Sequence, residues 1–189
     1  MFGVPQRRSR VVVVALRQHI AKHFSWPVEQ LRTKITVGRA LRSLMRANGW
    51  QGADAWARQA NDIAPTIVGG SKKHGGPDLG PKGARNAWAK LGVEGKSVAD
   101  EAPPLGFNGM PRLTVPMVAR LQGFPADWQF VGRKTHTYRQ VGNAFPPPVA
   151  EAIATQIAAA LIAARHTGLA KQAKRAQVLV KPGQKGLFY

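Results

Sequence analysis

Apolar positions fall into four legible patterns along the chain. "RVVVVALR" at 10–17 is β-branched and apolar without alternation. That predicts a strand covered on both faces, as in a parallel sheet. No other run in the sequence resembles its neighbour, which suggests a piece of something larger. "ITVGRALRSLMRANG" at 35–49 predicts a helix from Thr36 as N-cap to a Gly49 stop. Val37, Leu41 and Leu44 form its apolar stripe, with arginines on the remaining surface. "RLTVPMVARLQGFPADW" at 112–128 predicts a short helix from Thr114 through Leu121, with Pro116 in its first turn and Gly123 and Pro125 ending it. Pro146 to Pro148 pre-set a last helix, whose Val149, Ile153, Ile157, Leu161 and Ala164 are expected to form one buried face.

Elsewhere the texture is different. Residues 48–110 are glycine-rich and poorly periodic, a poor core and a candidate binding surface, or else a flexible insertion. The last 20 or so residues read as a basic, partly disordered tail. "QVGNAF" at 140–145 reads as a tight turn before the last helix, either a compact connector or a turn that holds something against exposed amides.

Composition narrows the classes. The chain has 189 residues, 44% of them hydrophobic, enough for one ordinary domain or two small ones. No stretch is expected to span a membrane, and the reading is cytoplasmic. There is no cysteine, which excludes disulfides, cysteine-ligated zinc and a cysteine nucleophile from this chain. His74 has no companion ligands at useful spacing, so no metal is expected. The 28 Lys and Arg against 9 Asp and Glu leave a net charge of +19, which favours a polyanion partner, nucleic acid above all. Residues 30–53 carry five of those cations and no acid.

Three blocks, in order, resemble the cytosine-5 DNA methyltransferases: "FGVPQRRSRVVVVALR" at 2–17, "RLTVPMVARLQGFPADW", and "YRQVGNAFPPPVAEAIA". The resemblance covers about 1–163. It implies an α/β fold class: an incomplete piece of a Rossmann-like S-adenosylmethionine-dependent methyltransferase domain with a loop-rich target-recognition domain. The implied division is a strand segment of the catalytic domain at 1–20 and target recognition at 21–130. A cofactor-pocket turn and helix follow at 131–165, then a basic tail at 166–189.

By the same resemblance, Arg10 reaches the carbonyl oxygen of a flipped cytosine, Arg8 holds a backbone phosphate or the closing loop, and Gln6 supports both by hydrogen bonding. Asn143 and Ala144 line the S-adenosyl-L-methionine pocket, with Gly142 allowing close backbone approach. Thr66 and Ile67 match the recognition region's Thr-hydrophobe pair, and Gly69, Gly70, Ser71, Lys72, Lys73 and His74 are placed to meet double-stranded DNA. Gln51 is a second candidate for base contact. Trp50, Trp56 and Trp88 read as core. One departure stands out: Met117 occupies a position where the family usually has an acid. The family's cofactor loop, cysteine nucleophile and glutamate acid are not in this sequence. Three readings follow: a C-terminal subunit that assembles with a second chain carrying the nucleophile, an inactive truncated fragment, or a stand-alone basic DNA-binding module.

Overall fold

The computed structural model describes residues 2–28, 34–69 and 76–179, with side chains through 172. Its helices are α1 (Gln18–Ala21), α2 (Val37–Met45), α3 (Ala53–Gln59), α4 (Lys82–Lys90), α5 (Val115–Gln122), α6 (Lys134–Asn143) and α7 (Pro147–Leu179). Two compact units result: Met1–Val11 with Glu29–Glu151, and Val12–Val28 with Ala152–Tyr189.

In the first unit, α2 packs on α3 and α5, and α5 on α6. The start signals act as expected, but α2 ends at Met45 with Arg46 as its C-cap, short of the expected Gly49 stop. The Thr36 hydroxyl accepts from the Arg39 amide at the head of α2, and Gly49 turns the chain away at φ +81°. Val37 and Leu41 are fully buried, Leu44 only partly, and Met45 joins them on the same stripe. Thr114 caps α5, and Gly123 ends it in the left-handed conformation. A Cβ on Gly123 would also lie 2.8 Å from Pro148 Cδ, so the second and third family-like blocks meet at a point only glycine fits.

Met117 explains its own departure. It stands at the third position of α5, where the Thr114 hydroxyl accepts from its amide and its sulfur accepts from the Thr114 amide at 3.4 Å. A thioether thus takes, as a weak acceptor, the reciprocal place that an acid fills in a capping box.

The glycine-rich region corrects the expectation of a poor core. Trp50, Trp56, Ile67, Leu79, Trp88, Val93 and Val98 are all buried there. The Trp50 and Trp56 indoles donate to the carbonyls of Phe107 and Gly92. Periodicity fails here because large side chains arrive singly between turns, several of them made by glycines at positive φ, including Gly80, Gly92 and Gly106.

Three further expectations change. Residues 11–16 form no strand; among the described residues there is none, only three isolated bridges. Val11 and Val13 are 93% and 85% exposed, while Val12, Val14 and Leu16 are half-buried. The run therefore alternates, where burial on both faces was expected. "QVGN" is not a turn but the last turn of α6, which ends at Asn143. Tyr138 and Val141, three apart and both fully buried, hold that turn to the core.

α7 begins at Pro147 as expected, and its first free amides, those of Val149 and Ala150, reach the Pro146 carbonyl. It does not bury one face: Val149, Ile153, Ile157 and Ala164 are half-buried, Leu161 is 47% exposed, and Ala160 alone among the described side chains of 152–172 is fully buried. It also runs through 166–179, part of the expected tail; the remainder of that tail lies outside the described residues. Its stretch Pro147–Gln172 is long and apolar enough to cross a membrane by length and composition, contrary to expectation, a property that core helices of soluble proteins share. In the second unit, the Ser25 hydroxyl donates to the Gln156 side-chain oxygen, and Phe24 meets Trp26 edge to face.

Candidate functional site

Polar side chains inside the first unit join the three family-like blocks. Gln6 is buried: its Nε2 donates to Gln122 Oε1 at 2.8 Å, and its Oε1 accepts from the Ile67 amide at 2.8 Å. Gln122, fully buried at the end of α5, donates in turn to the Val141 carbonyl at 3.0 Å. Every member of this chain of amides is paired, which is what allows it to sit in the core. Gln122 was missed in the sequence. Its only signal is a polar residue on the same helical stripe as the buried Val118 and Leu121.

Arg8 lies beside this network. One terminal nitrogen, Nη1, donates to the carbonyls of Ile67 at 2.6 Å and Gly142 at 2.7 Å. Burial, followed by the charge of Arg10, lowers the guanidinium's pKa from its ordinary value. Its Nε is buried with no partner among the described residues. Beyond the phosphate or loop contact expected of it, Arg8 therefore ties the recognition region to the end of α6.

Those two elements touch directly. A Cβ on Gly142 would fall 2.5 Å from Gly69 Cα, and one on Gly69 would fall 2.6 Å from Asn143 Cγ. The close approach that Gly142 permits is therefore to the chain's own glycine loop, a different neighbour from the cofactor expected. The Asn143 side chain covers Gly69 and remains exposed, and Ala144 is half-buried.

The other candidate residues fall into place around this point. The Thr66 hydroxyl donates to the Arg7 carbonyl at 2.7 Å, beside a parallel bridge between Gln6 and Ala64. Ile67 is buried, so of the Thr-hydrophobe pair only Thr66 faces solvent. Arg10 is exposed, and the bond it makes among the described residues is to the neighbouring Ser9 carbonyl at 2.7 Å. Gln51 is exposed in the turn before α3. Gly70, Ser71, Lys72, Lys73 and His74 lie outside the described residues. Arg8, Thr66, Gly69, Gly142 and Asn143, expected in three separate roles, are thus gathered at one edge.

A second missed residue supports that edge. Tyr138 of α6 is fully buried, and its hydroxyl donates to the Asp78 carbonyl at 2.6 Å. Burial and then the nearby Asp78 charge push its phenol pKa well up.

Comparison with known proteins gives these blocks a context. The profile of the C-5 cytosine-specific DNA methylases matches residues 1–159. The chain is 60% identical over 163 residues to the type II methyltransferase M.NaeI of Lentzea aerocolonigenes, covering 85% of this chain and 39% of that protein. It is 47% identical over 163 residues to the type II methyltransferase M.NgoMIV of Neisseria gonorrhoeae, covering 85% of this chain and 51% of that one. At 31% identity over 166 residues, it also matches the type II methyltransferase M.SsoII of Shigella sonnei, across 85% of this chain and 42% of that protein. The chain spans about half the length, or less, of these relatives. With the profile covering most of its length and the matching blocks welded into one edge, this chain belongs to the C-5 cytosine-specific DNA methylase family.

Proposed function

We propose that the chain is the C-terminal portion of a DNA (cytosine-5-)-methyltransferase of a restriction–modification system, acting on double-stranded DNA in the cytoplasm. In this reading it supplies target recognition and one wall each of the flipped-cytosine and S-adenosyl-L-methionine pockets. A second polypeptide brings the cysteine nucleophile and the glutamate acid. The observation that carries the reading is the convergence of Arg8, Gly69, Gly142 and Asn143 at a single edge, with exposed Arg10 two residues beyond Arg8.

Chemistry divides the work. Carbon 5 of cytosine is a poor nucleophile until a thiolate adds to carbon 6, and this chain has no thiol. What it can contribute is a cation for the extruded ring. Arg10 is exposed and can turn toward a carbonyl oxygen, because its bond among the described residues is to its neighbour's backbone. Extrusion costs a few kcal/mol, and a charge-assisted hydrogen bond at the ring offsets part of that cost. For the cofactor, the fit rests on Asn143 and Ala144: an exposed carboxamide and a half-buried methyl at the end of α6 offer one polar and one apolar contact. When bound, S-adenosyl-L-methionine supplies the methyl group; the remaining contacts to it belong to the partner.

The test is methyl transfer from radiolabelled S-adenosyl-L-methionine to DNA. The purified chain alone is expected to be inactive, and activity is expected once a chain carrying the cysteine and glutamate blocks is added. Transfer by the chain alone would overturn the division of labour. Silence in the mixture, with both chains folded, would favour an inert fragment.

A further inference from the structure

A charged groove between α2 and α3 stands apart from the edge described above. It measures about 800 Å³, and Lys34, Arg39, Arg42 and Arg58 line it together with, among the described residues, one carboxylate, that of Asp54. Arg42 takes that carboxylate at 2.8 Å and Arg46 approaches it at 3.8 Å. The Arg42 hydrogen bond holds the Asp54 carboxyl below its ordinary range. Lys34 pairs with Asp62 at 2.6 Å. Arg39 and Arg58 are exposed and have no acid partner among the described residues. Two guanidiniums that form no ion pair among the described residues therefore face one groove, where the Arg58 charge joins those of Arg42 and Arg46 in acting on Asp54.

The lining decides what kind of anion fits. It includes no aromatic side chain on which a base could stack. The first amides of α2 are already used, with Val37 donating to the Asp62 carbonyl, Gly38 to the Ala60 carbonyl and Arg39 to the Thr36 hydroxyl. An anion must be held by long, adaptable side chains over an open trough, which suits phosphodiesters in a row better than one caged phosphate. Asn61 lines this groove, and the next residues in the chain, Asp62 to Thr66, line a second hollow of about 390 Å³ that carries Arg7 and Lys90; the Lys34–Asp62 ion pair joins a lining residue of one to a lining residue of the other. That hollow ends at Thr66, one residue before the Ile67 carbonyl held by Arg8.

We propose that this track is a footing for the DNA backbone, along which phosphates outside the recognition loop run from the α2/α3 groove, past Arg7 and Lys90, to the candidate site. The inference rests on the DNA-binding part of the function proposed above. Its contribution is affinity and register rather than sequence choice, because phosphate contacts carry no base information.

The test is equilibrium binding of the full chain to a fluorescent DNA duplex across a salt series. Arg39→Ala/Arg58→Ala should weaken binding at low salt by about tenfold or more. It should also make the log–log salt dependence shallower by about 2, near 0.9 for each phosphate that is no longer neutralised. Both side chains are exposed and in no ion pair among the described residues, so the melting temperature should move little. Arg39→Lys/Arg58→Lys keeps the charge and should restore the slope. Lys82→Ala/Lys96→Ala removes the same net charge from exposed positions that line neither hollow, and should leave the slope close to wild type. Equal losses in the two alanine pairs, or no loss in the arginine pair, would overturn the track. If the wild-type chain fails to bind DNA at all, the DNA-binding reading itself falls and the track falls with it.

Discussion

Arg10 and Asn143 have different surroundings, and those surroundings separate their expected effects. Arg10 is exposed and, among the described residues, committed to the Ser9 carbonyl alone, so its removal leaves no hole in the described core. In the complex with the partner chain, Arg10→Ala should lower turnover more than DNA affinity. A charge-assisted hydrogen bond to the ring is worth about 1.5 to 3 kcal/mol, roughly ten- to a hundredfold in rate. Asn143 covers Gly69 at the tip of α6, and Asn143→Ala should raise the Michaelis constant for S-adenosyl-L-methionine while leaving DNA affinity nearly unchanged. Steady-state kinetics with each substrate varied in turn checks both. Full turnover in the first variant, or altered DNA binding alone in the second, would sink the assignments. Single residues were legible where local chemistry suffices: Thr36, Thr114 and Gly123 cap because any helix end must satisfy its free amides and carbonyls. Gln122 and Tyr138 were not legible. Their partners stand 116 and 60 residues away in the chain, and nothing local marks a polar group as buried.

At the scale of elements, α6 matters most, because it carries Tyr138 in its middle and the Gly142–Asn143 edge at its end. This helix is hidden in the sequence because Gly142 and Asn143 weigh as turn formers. Both residues are poor in helix interiors but suited to a last turn, so the signal marks the end of α6 correctly and its body not at all. The body is anchored by the Tyr138 hydroxyl donating to Asp78. That bond has a pH signature with a definite sign. The folded phenol's pKa lies above the unfolded value of about 10, so its stabilisation is complete below about pH 10 and is lost as pH rises beyond it. Tyr138→Phe should cost about 1 kcal/mol near pH 8, where the Asp78 carbonyl loses its donor. The variant should then lose less further stability than wild type between about pH 9 and 11, because no buried phenol remains to be ionised. Denaturant titrations at the two ends of that range measure it, and parallel losses in both proteins would show that the phenol is not the linked group.

For the whole molecule, the question is what a chain with a well-packed first unit does with a β-branched run that joins no ladder among the described residues. Residues 11–16 alternate exposed and half-buried, and among the described residues none of the amides of 11–16 donates to another backbone group. The β-branched composition predicted a strand and none forms among the described residues, because a ladder requires neighbours, and neighbours are not a property of the local sequence. A run whose backbone groups have no backbone partner among the described residues, with Val11 and Val13 facing solvent, is a template for strand addition. If the partner polypeptide completes a parallel sheet around it, backbone protection should appear there and nowhere so strongly. In hydrogen exchange on the isolated chain, the amides of Val12 to Leu16 should exchange close to unstructured rates, while those of α2 and α5 in the core remain protected. On adding the partner chain, the Val12–Leu16 amides should slow by orders of magnitude, with α2 and α5 little changed. Protection of this run in the isolated chain would mean that it pairs with a second copy or within the chain itself. Continued rapid exchange in an active complex would mean that the partner docks elsewhere, and the split-sheet reading would have to be abandoned.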